Sequence, residues 1–580
     1  MTRTSLPAED QKKSSTDTAV PSVVASMEDH GEKGDVEKGT DDLTRVETEP
    51  EYPSFKKAAI IILACGLSMF LVALDRLIIT TAIPRITDDF HSLNDVGWYA
   101  SAYLLGACAT QLIWGRIFTF YNSKFVYLAA IGMFELGSVI CGAAPNSNAF
   151  IVGRAIAGTG SAGVFSGTII VVTHILPLHK RPMVSGVFGS IFGISSVVGP
   201  LLGGAFTDNV SWRWCFYINL PIGAVTVAVL TFILHLPAVK NSKTLKEQLL
   251  SLDPYGTAVF LPGVICLLLA LQWGGVTYDW SSARIIALFV LAGVLLVAFA
   301  AIQVWQKENA TLPLRILKNR SIACGASFTI LVAGSMITMI YFIPLWFQAI
   351  KGVSAVQSGI NNLAMVLAMV VSVISTGVFV AKAGYYVPPM LLSPILLAVG
   401  AGLITTFSAE TSSSRWIGYQ IIYGLGLGMG MQQASMAAQT CLSRKDVSTG
   451  ISLMFFCQSL GGAIFVCIAE SLFTNTLAKD LRSLPGQMLD TQTISTAGAT
   501  QLRQLVSPEL LPEVLVLYNK ALHKAFFVAL GVGAAAIIPA LGMEWKSVKK
   551  DKAKDTAAMK KDSKAATEEK QKAEGSDEGV

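Results

Sequence analysis

The amino-acid sequence predicts an all-α, polytopic membrane protein. Of its 580 residues, 52% are hydrophobic and only 14% are charged, whereas about a quarter of the residues of a soluble domain are charged. The mean hydropathy is +0.54. Fourteen apolar runs are long enough to cross a bilayer, and such runs cross as helices because lipid offers no partner to exposed backbone groups. The runs lie at residues 58–82, 96–119, 125–144, 149–172, 183–205, 214–236, 255–275, 283–304, 322–348, 358–381, 387–407, 415–438, 448–470 and 523–543.

Four segments outside these runs are polar. Residues 1–56 and 546–580 are highly charged and poor in aromatic residues, so we expect disordered tails, because such segments bury too little apolar surface to fold. The segment 238–254 carries three lysines beside several leucines, and we expect it to link spans on the cytoplasmic surface as an amphipathic helix. Residues 471–522 form a long connection that we expect to lie outside.

The distribution of basic residues predicts the orientation of the spans. Fourteen lysines and arginines fall in the short even-numbered connections and five in the odd-numbered ones, so both termini are predicted to be cytoplasmic. No charged-then-apolar leader precedes the first span, which we therefore expect to act as an uncleaved signal. Asn209, in the sequon Asn209-Val-Ser211, then lies outside and is a candidate glycosylation site.

Ionisable residues within spans are functional candidates, because a charge in the middle of a bilayer costs several kcal/mol. Asp75 in span one and Arg154 in span four lie at depths that differ by roughly 5 Å at 1.5 Å per residue. They are predicted to form an ion pair that couples transport to protons; a static salt bridge is the alternative, and Arg76 beside Asp75 is consistent with a wet outer vestibule. Glu135 in span three is either a proton carrier or a neutral, hydrogen-bonded acid.

Span five carries small residues and a proline at regular spacing. Gly193, Gly199, Gly203 and Gly204 remove side chains from the helix surface, and Pro200 removes one backbone donor. We expect a pliable helix whose neighbours approach closely and move against it.

Neutral polar and aromatic residues within or at the ends of spans are candidates for a central substrate cavity. Such a cavity would suit an amphipathic and largely uncharged ligand. Interhelical hydrogen bonds and interfacial aromatic belts are the alternative explanations. The candidates are Gln111, Gln272, Gln432, Gln458 and Phe455.

Several kinds of site are not indicated by the sequence. The nine cysteines show no Cys-x-x-Cys pairing, so neither a metal site nor a disulfide framework is predicted. There is no Gly-x-x-x-x-Gly-Lys-[Ser/Thr] phosphate loop, which disfavours an ATP-driven pump. His-Glu-x-x-His and Gly-x-Ser-x-Gly are also missing, so we do not predict an enzyme, a cofactor or a nucleic-acid partner.

Four stretches together resemble one family of transporters. Residues 193–204 resemble the Gly-x-x-x-Gly-Pro-x-x-Gly-Gly signature of span five in proton-driven exporters of the major facilitator superfamily, with Ser195 in place of the first glycine. Residues 153–160 resemble the Arg-x-x-Gln-Gly-x-Gly motif of span four. Residues 74–84 and 212–223 are similar to signatures of the fourteen-span drug:proton antiporters of that superfamily.

One further stretch resembles the family less closely. Residues 115–124 occupy the place of the loop motif Gly-x-x-x-Asp-Arg-x-Gly-Arg-Lys, but Thr119 and Phe120 replace its acid and arginine, and Lys124 remains. This degenerate form looks like the fungal toxin and multidrug efflux pumps of the subfamily.

The resemblance implies the major facilitator fold with fourteen spans. Two six-helix halves, residues 57–237 and 305–545, would enclose a midplane cavity, and two extra spans, residues 255–304, would lie between them. It also implies a monomeric, proton-coupled exporter of hydrophobic or amphipathic small molecules, such as drugs or secondary-metabolite toxins, in the plasma membrane, or alternatively in the vacuolar membrane. The neighbouring alternative is a carrier for basic amino acids or siderophore-type iron chelates.

Overall fold

The computed structural model describes residues 53–92, 95–236, 252–275, 278–443, 445–481 and 510–549. Nearly all of them are helical, as expected for a chain whose backbone groups must pair within lipid. The long helices are α1 (Phe55–Phe90), α2 (Val96–Phe120), α3 (Ser123–Ala143), α4 (Ser147–Ile175), α5 (Arg181–Asn209), α6 (Asn219–Ile233), α7 (Pro254–Trp273), α8 (Ala283–Gln306), α9 (Arg320–Ala349), α10 (Leu363–Ala383), α11 (Val387–Ile404), α12 (Ser413–Gly430), α13 (Val447–Leu481) and α14 (Leu511–Ala535). Short helices lie at Trp214–Tyr217, Leu314–Leu317, Ala355–Asn361, Gln433–Cys441 and Ile537–Leu541.

A helix lies at each of the predicted spans, so the predicted all-α membrane protein is confirmed. Within the described ranges, 12 helices are long and apolar enough to cross a membrane. The other two of the fourteen long helices are α2 and α12, and α12 is interrupted before Gln433–Cys441. The total of fourteen spans therefore stays a prediction.

The structure describes only parts of the segments predicted to connect the spans or to flank them. α13 continues to Leu481 and α14 begins at Leu511, so helix occupies both ends of the segment predicted as the loop 471–522. Residues 546–549, predicted as the start of the second tail, are described, and Val548 donates its backbone N–H to Gly384 at 2.8 Å. Residues 1–52, 237–251, 482–509 and 550–580, which hold most of the predicted tails, linker and loop, lie outside the described residues.

The described helices form two groups whose members pack mainly against one another. In the first, α4 packs against α2 and α3, and α1 against α5. In the second, α9 packs against α13 and α14, and α12 against α10 and α11. Glycine residues allow the helices to come close. If Gly160 of α4 carried a Cβ atom, that atom would lie 2.7 Å from the Cα of Phe134 on α3, which is too close for a side chain. Such backbone approach is how membrane helices gain packing energy.

The helices α7 and α8 pack against each other, and α7 also contacts α2 and α13. A fully buried carboxylate, Asp253, organises this pair although φ is +54° there. It accepts hydrogen bonds from Gln303 at 2.7 Å, from Gln306 at 2.7 Å and from the backbone N–H of Thr311 at 2.9 Å. It also caps α7 through the N–H of Gly256 at 2.6 Å. Asp253 therefore ties the start of α7 to the end of α8.

The two groups meet along α5 with α10 and along α2 with α13. We call the end of the bundle at which α1 begins the Phe55 face; it is the side predicted to be cytoplasmic. There, a Cβ on Gly377 of α10 would lie 2.5 Å from the carbonyl oxygen of Pro182 on α5. A Cβ on Gly115 of α2 would lie 2.6 Å from the Cβ of Ser452 on α13. The two groups are thus in close contact at this face.

Candidate proton-coupling site

A buried ion pair joins α1 to α4. Nη1 of Arg154 lies 2.7 Å from Oδ2 of Asp75, and the two side chains are 1% and 0% exposed. Nε of Arg154 donates to the carbonyl oxygen of Tyr99 at 2.9 Å. The guanidinium also lies over the rings of Tyr103, 4.5 Å from the centroid, and Phe216, 5.9 Å from the centroid. The pairing expected from the depths of the two residues is therefore present; its role stays a prediction.

Such a pair is stable only while both charges are present. Taking two charges out of water is costly, and their mutual attraction in a low-dielectric interior offsets that cost when the geometry is good. Protonation of Asp75 would remove its charge and leave Arg154 with the carbonyl of Tyr99 as its hydrogen-bond acceptor. The pair is thus an arrangement in which one proton changes the interaction between two helices.

Asn219, at the start of α6, connects this pair to α3. Its Nδ2 donates to Oδ1 of Asp75 at 3.4 Å and to Oγ of Ser138 at 3.1 Å. The residue is fully buried, and its Oδ1 has no hydrogen-bond partner among the described residues. Sequence reasoning missed Asn219 as a site residue, although it lies in the signature at residues 212–223. Asp75 was selected because burying a charge in the bilayer is costly, and an uncharged side chain such as that of Asn219 does not have this cost.

Glu135 lies on α3, one helical turn from Ser138 and at the same contact with α6. Both carboxyl oxygens are buried, and neither has a hydrogen-bond partner in the described ranges. The carboxyl group rests on Gly223, where a Cβ would lie 2.5 Å from its Cδ. A buried carboxyl group without a partner is energetically costly, so its position requires a functional or structural explanation.

The predicted span-five residues face two different partners. Gly193 faces α10 of the second group, and a Cβ there would lie 2.6 Å from Cγ2 of Val370. Gly199 and Gly203 face α1, and a Cβ on Gly203 would lie 2.7 Å from the carbonyl oxygen of Ile78. The helix α5 therefore contacts the opposite group with its first half and the helix of Asp75 with its second half.

The remaining two span-five residues differ from these glycines. A Cβ on Gly204 would meet no atom within 4 Å, so this glycine leaves room instead of making a contact. The backbone of Pro200 lies inside the continuous helix Arg181–Asn209, and its side chain lies outside the described part of the structure.

Two cavity candidates, Gln111 and Phe455, lie where the two groups meet. Gln111 donates to Oγ of Ser166 at 2.5 Å, and Ser452 of α13 donates to the same oxygen at 3.1 Å. The ring centroid of Phe455 lies 5.8 Å from that of Phe165 on α4. These residues make a polar and aromatic contact between the groups, toward the Phe55 face.

The other three candidates lie elsewhere. Gln272 of α7 donates to the hydroxyl of Ser101 on α2, which is an interhelical hydrogen bond to one of the extra helices. Gln432 lies at the break before Gln433–Cys441 and lines a small gap against α5 and α10. Gln458 lines a second gap, between α9 and α13. The five candidates are therefore not brought together at one place.

The loop between α2 and α3 makes neutral contacts at the Phe55 face. Oγ1 of Thr119 lies 2.6 Å from Oγ of Ser448 on α13, at the position where the family motif has an acid. Nζ of Lys124 donates to the carbonyl oxygen of Thr231 at 2.6 Å. Hydroxyl groups thus replace the expected charge in the contact with α13.

An ion pair closes the same face beside this loop. Both terminal nitrogens of Arg315 donate to the carboxylate of Asp446, at 2.5 and 2.7 Å. Asp446 precedes α13 and accepts a further hydrogen bond from Ser443 at 2.6 Å. Burial raises the pKa of Asp446, but these hydrogen bonds outweigh burial and hold that pKa below its ordinary value. The carboxylate is therefore ionised at neutral pH.

Asn209 ends α5 with an exposed side chain, whose Nδ2 donates to the carbonyl oxygen of Ala205 at 2.9 Å. Its glycosylation stays a prediction. The described residues hold no group of three or more His, Cys, Asp or Glu side chains that could hold a metal ion, and the nine cysteines are free thiols.

The sequence profile of the Major Facilitator Superfamily matches residues 65–466. The chain belongs to the major facilitator superfamily. It is 52% identical over 532 residues to the MFS-type efflux pump MFS1 of Arthroderma benhamiae, covering 90% of this chain and 99% of the relative. It is 53% identical to the rubrofusarin-specific efflux pump aurT of Gibberella zeae, covering 86% and 92%, and 49% identical to the efflux pump aflT of Aspergillus parasiticus, covering 86% and 97%. The predicted resemblance to fungal efflux pumps is confirmed.

Solved structures agree on the fold of this major facilitator protein. The proton:xylose symporter XylE bound to 6-bromo-6-deoxy-D-glucose matches with a TM-score of 0.54 at 12% identity, over 85% of this chain and 98% of that chain. The human organic anion transporter MFSD10 matches with a TM-score of 0.52 at 14% identity, over 81% and 99%. We call α1–α6 the first half and α9–α14 the second half; that they are the two six-helix halves of the family fold stays a prediction. The chain is a multi-pass membrane transporter for small molecules.

Proposed function

We propose that this transporter is a proton-coupled efflux pump, which exports hydrophobic or amphipathic small molecules in exchange for protons. The observation that carries the proposal is the fully buried ion pair of Asp75 and Arg154. Relatives about half identical to this chain are named efflux pumps, which supports the direction of transport.

Asp75 carries the exchanged proton in this mechanism. With Asp75 ionised, Arg154 holds α4 to α1 through the 2.7 Å contact. A proton from outside neutralises the carboxylate, and Arg154 keeps only its bond to Tyr99. Because protonation changes the interaction between the two helices, it favours a different arrangement of the halves. Release of the proton on the cytoplasmic side restores the pair.

Glu135 is the second proposed proton carrier. Its carboxyl group has no hydrogen-bond partner among the described residues, and Asn219 links Asp75 to Ser138, which lies one helical turn from Glu135 on α3. Asn219 acts as a positioning residue, because its amide holds Oδ1 of Asp75 toward α3. Protonation of either carboxyl group then changes the electrostatic potential at the other.

The helix α5 transmits the change to the second half. Gly199 and Gly203 allow it to approach α1, and Gly193 allows it to approach α10. Contacts without large side chains let one helix slide on another at small cost. Small shifts of α1 at Asp75 are thus converted into movement along the contact between the halves.

The substrate class follows from the relatives and from the contact between the halves. One relative is named rubrofusarin-specific, and we propose a fungal secondary metabolite or a drug of similar character for this chain. Phe455 and Gln111 lie at the contact that opens when the halves separate. The alternative, a carrier for basic amino acids or siderophore-type chelates, predicts uptake of arginine or ferric chelates in the same assay.

The pump is proposed to act as a monomer in the plasma membrane, with the vacuolar membrane as the alternative. Both termini of the pump are proposed to lie in the cytoplasm. The proton gradient drives transport, and ATP hydrolysis does not. Both the ion pair and α5 lie within a single chain, so exchange needs no second subunit.

Uptake of a fluorescent hydrophobic dye into inside-out vesicles tests the proposal. With an acidic vesicle interior, the wild type should accumulate dye, and Arg154→Ala should lose this gradient-dependent accumulation. Arg284→Ala is the matched control, because Arg284 begins α8 and contacts Tyr278. Dye accumulation that is indifferent to the pH gradient would contradict proton exchange.

A further inference from the structure

A short segment beyond the last span is fastened to the end of the bundle, and the mechanism above does not use it. This segment, residues 543–549, lies beyond α14, and we call it the C-terminal strap. Ser547 pairs with Tyr385 in an isolated antiparallel bridge, and the N–H of Val548 donates to the carbonyl oxygen of Gly384 at 2.8 Å. Val548 is fully buried. The strap is therefore held against the connection between α10 and α11, at the Phe55 face.

Side chains also fasten the strap to its neighbours. The hydroxyl of Tyr386 donates to the carbonyl oxygen of Glu544 at 3.1 Å. Oγ of Ser321, at the start of α9, donates to the carboxylate of Glu544 at 3.0 Å. Nζ of Lys549 donates to the carbonyl oxygen of Lys382 on α10. A chain segment near a terminus is ordered only where such contacts hold it, so these bonds give the strap a fixed path.

The strap brings positive charges together. Lys382, Lys546 and Lys549 are all exposed there, beside the carboxylate of Glu544. The hydrogen bond to Glu544 raises the pKa of Lys546 above its ordinary value, so its ammonium group stays charged at neutral pH. Residues 550–580 carry eight lysines and eight acidic residues, whose charges cancel. The excess of positive charge therefore belongs to the strap and the adjoining end of α10.

An exposed aromatic pair lies on the same strap. The rings of Trp545 and Tyr385 have centroids 6.1 Å apart, and the two residues are 61% and 40% exposed. Ile538 and Leu541, at the end of the last span, are also exposed, as expected for side chains that face lipid tails. Trp545 continues this apolar surface four residues further along the chain. Tryptophan and tyrosine prefer the boundary between lipid tails and water, so the pair marks the level of the headgroups.

We infer that the C-terminal strap is a binding surface for anionic phospholipid headgroups of the cytoplasmic leaflet. Trp545 and Tyr385 lie among the headgroups, and Lys382, Lys546 and Lys549 attract their negative charges. The cytoplasmic leaflet is the one that carries anionic lipids such as phosphatidylserine. Binding to such a surface strengthens with buried apolar area and with electrostatic attraction, and the strap supplies both. This binding does not depend on the proposed export function.

Titration of a fluorescent phosphatidylserine into the purified, full-length protein in detergent micelles tests the inference. The fluorophore is on an acyl chain, and the matching phosphatidylcholine is the neutral probe. The wild type should bind phosphatidylserine about tenfold more tightly than phosphatidylcholine, since several lysines face the headgroup. Each lysine near an anionic surface strengthens binding about fivefold, so Lys546→Gln/Lys549→Gln should weaken phosphatidylserine binding by up to about 25-fold. Its phosphatidylcholine binding should stay unchanged.

Two further variants separate a defined site from a generally charged surface. Lys479→Gln/Lys524→Gln removes two exposed lysines of α13 and α14, toward the opposite end of the bundle, and should bind phosphatidylserine like the wild type. Val548→Pro removes the N–H that donates to Gly384 and keeps every lysine. It should lose most of the preference for phosphatidylserine, because the strap no longer holds its lysines beside α10.

Equal affinity of the wild type for the two lipids would overturn the inference. So would unchanged phosphatidylserine binding in Lys546→Gln/Lys549→Gln, or an equal loss in Lys479→Gln/Lys524→Gln. Unchanged preference in Val548→Pro would show that the lysines act without the fixed path of the strap. Inorganic phosphate at constant ionic strength should not displace the fluorescent lipid; displacement would assign the lysines to a soluble anion instead of a lipid surface.

Discussion

Gly203 and Gly204 are neighbours in α5, yet a methyl group added to each meets different surroundings. A Cβ on Gly203 would lie 2.7 Å from the carbonyl oxygen of Ile78, whereas a Cβ on Gly204 would have no atom within 4 Å. Replacing glycine with alanine inside a helix stabilises it by about 0.5–1 kcal/mol, and overpacking costs about 1–3 kcal/mol. We therefore expect Gly204→Ala to be neutral or stabilising and Gly203→Ala to be less stable than it by about 1–3 kcal/mol.

Thermal melting of the purified protein in detergent measures this difference. Gly203→Ala should melt several degrees below Gly204→Ala, and its gradient-driven transport should be slower, because α5 is held away from α1. Gly204→Ala should transport at the wild-type rate. Equal melting temperatures and equal transport rates for the two variants would refute the assignment of Gly203 to the moving contact.

Three further substitutions test other parts of the structure. Arg154→Gln leaves a buried charge on Asp75 and should destabilise the protein by about 3–5 kcal/mol; the double variant with Asp75→Asn should recover most of this in thermal melting, and no recovery would contradict a direct pair. The pKa of Asp446 is lowered in the folded protein, so its contribution is present above the pKa of the unfolded state and lost as pH falls through the folded pKa. Asp446→Asn should therefore be less stable than wild type at pH 7, by about 1 kcal/mol or less because Arg315 is half exposed. The difference should begin to shrink as pH falls below about 4, the ordinary pKa of an aspartate, and should vanish below the folded pKa; a difference that does not shrink in acid would argue against the ion pair. Asp253→Ala leaves several buried donors unpaired and should lower the melting temperature more than Asp279→Ala, a change outside that hydrogen-bonded group; equal melting temperatures would show that Asp253 does not tie α7 to α8.

The sequence allowed the helices and the ion pair to be predicted for the same physical reason. Lipid penalises both unpaired backbone groups and charges, so long apolar runs and the charges inside them are conspicuous. The depth of a residue follows from its position along a helix, and this was sufficient to bring Asp75 and Arg154 together. Helix ends were harder to place: α13 extends to Leu481 because a helix can continue into polar sequence beyond the membrane.

Neutral polar residues were not predictable in the same way. Asn219 and Gln272 are both amides within spans, yet one contacts the coupling pair and the other an extra helix. An amide has no strong energetic preference for either place, since any interhelical hydrogen bond satisfies it. The five cavity candidates therefore lie at different contacts in the structure and do not form one site. Asp253 was overlooked because it precedes its span, where a carboxylate has no apparent cost.

Proton movement driven by substrate tests the central claim most directly. Purified protein is reconstituted into liposomes that contain the pH indicator pyranine, and a gradient of an exported dye is imposed without any initial pH difference. The account predicts that the wild type moves protons opposite to the dye and that Asp75→Asn binds the dye but moves no protons. Proton movement in Asp75→Asn at the wild-type rate would contradict the account.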